Sequence, residues 1–69
     1  MKRFLVIVEK ANGNYSAYCP DLPGCVATGE TKEETELSIK QAMQMHIEGL
    51  REDNLPVPES NATAEYVVV

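Results

Sequence analysis

Cys19 and Cys25 bracket the run Pro20-Asp21-Leu22-Pro23-Gly24. That spacing lets two thiols meet on neighbouring strands, where they could form a disulfide or a redox pair. The plainer alternative is two small, partly buried hydrophobes. His46 is the only histidine; no serine or cysteine nucleophile with an orienting acid accompanies it. It is expected to pack on the core face of a helix with its polar edge at the rim, rather than to serve as a base or ligand. Asp21 is expected to brace its own turn by accepting from nearby backbone amides. With no His/Cys cluster at zinc spacing, these residue types assign no catalytic, cofactor-binding or metal-ligating position.

The elements that must carry these residues are legible from pattern. Arg3 to Lys10 is rich in β-branched and aromatic types and reads as a strand, followed by the Asn12-Gly13 pair that suits a tight hairpin turn. Tyr15 to Cys19 forms the second strand and Pro20 ends it. Pro23-Gly24 has the chemistry of a type II turn, with a third strand at Cys25 to Gly29. Thr31 and Glu34 make a capping box, in which the hydroxyl accepts from the Glu34 amide and the carboxylate reaches back to the Thr31 amide. Glu33 and Glu34 also suit the first-turn dipole. The helix should run to about Asp53, with Thr35, Ile39, Ala42, Met43, His46 and Leu50 on one face. Met43 and Met45 are expected to serve helix packing. Pro56 and Pro58 forbid continuation. After a short linker at 59–63, Ala64 to Val69 reads as a fourth strand, returning parallel to the first by a right-handed crossover. The expected sheet order is 3-2-1-4, an α+β fold with one helix on one face.

A chain of 69 residues is expected to be a single domain, 1–69, and one this small buries only about 60% of its unfolded surface. Association would add to its stability. Six basic and eleven acidic residues give a net charge of −5, the wrong sign for gripping phosphates and the right one for a basic protein partner. The apolar run Phe4 to Val8 is too short for a signal peptide and no small-residue cleavage site comes after it. No stretch is long enough to span a membrane. A cytoplasmic setting with reduced thiols is expected.

The run Tyr15, Ala17, Pro20-Asp21-Leu22-Pro23-Gly24-Cys25 and Gly29 leads into Thr31, Glu33 and Glu34, then Ile39, Ala42 and His46, then Pro56 and Pro58. This order resembles the signature of the HicB-like antitoxin family over roughly residues 4 to 58. The resemblance implies a partial ribonuclease-H-like fold and stoichiometric binding of a small basic HicA-type ribonuclease toxin, with occlusion of its active site. It brings no catalytic residues, and it already places Cys25 after Gly24 without a redox role. True nucleases of that fold hold metals through carboxylates on the first strand, the helix and the fourth strand. Glu9, Glu36 or Glu48, and Glu65 occupy those elements here, at strand ends or on a solvated flank rather than converging as two-metal chemistry requires. Typical family members also carry a C-terminal helix-turn-helix or ribbon-helix-helix segment for operator binding; none is read here before Val69.

Strand alternation places Phe4, Val6 and Val8 on one sheet face and Leu5, Ile7 and Glu9 on the other. A four-stranded sheet is roughly 15–19 Å wide, whereas one helix is about 10 Å across, so one face must stay open. The face with Glu9, Ser16 and Glu65 is assigned outward. Leu5, Ile7, Tyr18, Val67 and Val69 then need cover, from a toxin or another copy, and Leu37 opposite the helix core face adds to the candidate interface. Pro20, Asp21, Leu22, Pro23, Gly24, Cys25, Gly29, Thr31 and Glu34 are assigned structural duty. A different reading is an orphan, self-associating structural or regulatory module with no toxin. A homodimer or larger assembly is expected, sensitive to Ile7→Glu or Val67→Glu.

Overall fold

In the computed structural model, which describes residues 2–69, three antiparallel strands precede one long helix. The strands are β1 (Ile7–Ala11), β2 (Asn14–Tyr18) and β3 (Val26–Gly29), and the helix is α1 (Lys32–Glu52). The sheet order is β1-β2-β3.

Each turn follows from its residues. Asn12-Gly13 links paired Ala11 and Asn14, and Gly13 takes a φ of +79°. At the next turn the Cys25 amide donates to the Leu22 carbonyl at 3.1 Å, and Gly24 between them sits at φ +85°. Those two features define the expected type II turn, with Pro23 fixing its first corner. Leu22 is fully buried and joins Ala17, Cys19, Cys25 and Ile39 in the core, with Phe4, Val6, Val8, Ala27, Met43 and Ile47 packed around them. The Pro-Asp-Leu-Pro-Gly run is thus a plug as well as a turn.

The start of α1 departs from expectation in one bond. Thr31 Oγ1 accepts from the Glu34 amide at 3.1 Å, but the Glu34 carboxylate accepts from the Glu30 amide at 3.2 Å, one residue earlier than the capping box expects. The helix stop is set by Asn54, ahead of Pro56. Asn54 adopts φ +56°, its amide donates to the Arg51 carbonyl, and the Leu55 amide donates to the Leu50 carbonyl at 2.8 Å. This is a Schellman closure with asparagine in the left-handed position.

The expected fourth strand is not formed: Ala64 to Val69 has no regular structure, and the sheet has three strands, not four. Residues Tyr66 to Val69 are between 78% and 117% exposed. The first strand is correspondingly shorter than Arg3 to Lys10, because Arg3 to Val6 lies beyond the span that pairs with β2.

α1 lies chiefly over β2 and β3 and reaches β1 least. The short link from Gly29 to Lys32 drops the helix directly across β3. Gly29 makes that approach possible: a Cβ there would stand 2.6 Å from Thr35 Oγ1 and 3.0 Å from the Thr35 amide nitrogen.

Candidate functional site

The register builds one continuous apolar row across the uncovered face. Ile7 pairs with Tyr18 and Tyr18 with Val26, so the three side chains stand abreast on the face opposite α1. Tyr18 is 43% exposed and Val26 67%, while Leu5 and Ile7 are half-buried. The next outward row is polar, Glu9, Ser16 and Thr28. Sequence reasoning missed Val26. Starting the third strand at Cys25 with its side chain inward sends Val26 outward, and that alternation was the available signal.

The other candidate interface residues do not join this row. Leu37 is exposed on the outer side of α1, and Val67 and Val69 stand in solvent on the unpaired tail. Met45 is exposed as well, contrary to the expected packing role, since two residues along a helix turn it about 200° away from Met43.

The residues with chemical potential are held apart or buried. Cys19 and Cys25 are free thiols, both buried, and the Cys19 amide donates to the Cys25 carbonyl at 3.2 Å. Burial raises the Cys25 thiol above its ordinary pKa, and the neighbouring Cys19 raises it further. Its Sγ lies 4.0 Å from the Ala42 carbonyl oxygen. Protonated, shielded thiols are the less reactive kind. His46 is half-buried, and Glu9, Glu36, Glu48 and Glu65 are exposed; Glu36 pairs with Lys32 at 3.9 Å. Among the described residues no group of three or more His, Cys, Asp or Glu stands where it could hold a metal ion, and no helix is long and apolar enough to cross a membrane.

Asp21 does something other than brace its own turn. One carboxylate oxygen accepts from the backbone amides of Asn61 and Ala62, each at 3.1 Å, and just before them exposed Glu59 pairs with Lys2 at 3.7 Å. The segment after the helix is therefore tied back to the turn before β3.

A small α+β domain with an apolar row on a bare sheet face has the build of a protein-binding module. The chain belongs to the HicB-like antitoxin family of bacterial toxin–antitoxin systems, whose description it matches over residues 4–68. It is 40% identical over 62 residues to an uncharacterized 14.9 kDa protein of Haemophilus phage HP1, covering 90% of this chain but 47% of that one. It is 39% identical over 62 residues to a UPF0150 protein of Thermoplasma acidophilum, covering 90% of each chain. A UPF0150 protein of Synechocystis is 39% identical over 59 residues, 84% of this chain and 75% of that one. The chain thus spans about half the length of the phage relative and most of the other two.

Proposed function

We propose that this chain is a cytoplasmic antitoxin that neutralises a HicA-type ribonuclease toxin by stoichiometric binding, acting as a binder and not as an enzyme. Membership of the HicB-like antitoxin family over residues 4–68 carries this reading. The net charge of −5 supports it, because an acidic surface steers a small basic protein toward it and penalises acidic competitors. Leu5, Ile7, Tyr18 and Val26 form the patch we assign to the toxin. Apolar area of this kind contributes about 25 cal/mol per Å² when covered, so the patch adds a few kcal/mol. We also assign to the assembled state a four-stranded sheet of order 3-2-1-4, partly ribonuclease-H-like, in which Ala64 to Val69 supplies the fourth strand.

The test is capture of the tagged chain from its own host with bound proteins identified by mass. A small basic protein at one-to-one stoichiometry, whose RNA cleavage stops when the chain is added, is the expected result. Capture of the chain alone would replace the antitoxin reading with that of an orphan self-associating module, a second reading favoured by the uncovered Tyr66 to Val69.

A further inference from the structure

We propose that Glu9 sets which partner the open face accepts, by pairing with an arginine of that partner whose guanidinium lies on the Tyr18 ring and also donates to the Ser16 hydroxyl. This rests on the open face as the partner-binding surface, and adds the residue that gives it selectivity and the side chain it reads.

The register brings these groups together. Glu9 stands opposite Ser16, and Ile7 opposite Tyr18, so Glu9 and Tyr18 are diagonal neighbours on one face, roughly 7–8 Å apart at the backbone and within reach of one long side chain. Glu9 is exposed and Ser16 half-buried, while Tyr18 is 43% exposed. Within β1, β2 and β3, Glu9 is the one charged side chain that alternation sends to this face, since Lys10 goes with Val8 to the other. Among the described residues the ion pairs are Lys2 with Glu59 and Lys32 with Glu36, so Glu9 is left without a cation of its own.

A partner that covers Ile7, Tyr18 and Val26 strips water from the carboxylate beside them. A neutral or acidic partner then leaves that charge desolvated and unpaired, a penalty that rejects it; a basic side chain turns the same position into an attraction strengthened by the lower local dielectric. Arginine fits better than lysine. Its planar fork meets a carboxylate with two parallel bonds, its remaining N–H groups reach a neighbouring hydroxyl, and its flat, weakly hydrated face stacks on an aromatic ring. A lysine ammonium answers the charge and leaves the ring unused.

The probe is N-acetyl-leucyl-arginine amide, titrated into the isotope-labelled full chain and followed by NMR. The expected result is saturable shifts at the Glu9 carboxylate carbon and at the Ser16 and Tyr18 amides, with the arginine methylene protons moved upfield by the Tyr18 ring. The leucyl-lysine counterpart should bind at least threefold more weakly. Glu9→Gln, a change of equal shape at an exposed position, should weaken the arginine probe at least tenfold; Glu52→Gln, the same loss of charge at the far end of α1, should stay within twofold. Shifts centred elsewhere, no saturation, equal response to the lysine probe, or equal loss in both variants would overturn the proposal. With a captured basic protein, Glu9→Gln should raise the dissociation rate at least tenfold and Glu52→Gln should not. Capture followed by indifference to Glu9→Gln would keep the toxin and remove Glu9 from its recognition, whereas failure of capture falls on the toxin reading and leaves the arginine site to be decided by the probe.

Discussion

A single carboxylate at Asp21 ties together parts of the chain about forty residues apart. Asp21→Ala should cost about 1–2 kcal/mol, the range for two partly exposed bonds to a charged acceptor, read as a lower urea midpoint. Amide exchange should quicken at Asn61 and Ala62 and stay unchanged within α1. Gly29 is constrained differently. A methyl group there meets the backbone nitrogen of Thr35 at 3.0 Å, which cannot swing aside as a side chain does, so Gly29→Ala should cost about 1–3 kcal/mol as overpacking and lift α1 from β3. Cys25 gives the domain a pH dependence of known sign. Its folded pKa lies above the unfolded value because burial, and then Cys19, disfavour the thiolate. The unfolded chain therefore sheds the proton first. Stability is fully present below the unfolded thiol value of about 8.5 and is lost as pH rises through the folded pKa. Cys25→Ala should flatten that limb of a thermal-unfolding profile, although it also leaves a small cavity.

At the scale of elements, the helix shows how local chemistry and tertiary context divide the work. Thr31 declares its start, because a hydroxyl before a glutamate-rich turn has few other uses. Pro56 announces a stop in the sequence, but Asn54 makes it two residues earlier, since asparagine tolerates positive φ and the ensuing bonds satisfy the carbonyls of Leu50 and Arg51. Asn54→Gly should therefore be neutral or stabilise by a few tenths of a kcal/mol, whereas Asn54→Val should cost about 1 kcal/mol or more and fray the last turn in exchange experiments. The three strands and both turns were legible because alternation and Pro/Gly chemistry are local. Ala64 to Val69 was not, because a strand needs a partner as well as a propensity, and propensity is all that Tyr66-Val67-Val68-Val69 displays. The long-range role of Asp21 was hidden for a similar reason: a carboxylate in a turn has nearby amides to bond, and nothing local announces Asn61. Val26 was hidden by a smaller omission, its face being fixed once Cys25 points inward.

At the scale of the whole molecule, one helix cannot cover a sheet and an edge together, and the two surfaces left over differ in chemistry. The open face carries Ile7, Tyr18 and Val26 abreast with Glu9 just beyond, an apolar strip beside acidic charge, suited to a basic partner. The β1 groove is apolar with one charge of each sign at its rim. Val26→Glu replaces a side chain already 67% exposed, so the fold should survive with its melting temperature nearly unchanged, as is usual for surface substitutions. Toxin affinity should fall tenfold or more, equal to about 1.4 kcal/mol or more. The added acid strengthens long-range attraction to a basic partner, so the loss should appear as faster dissociation with an undiminished association rate. If Val26→Glu instead spared toxin binding, the assignment of the open face to the toxin would be wrong.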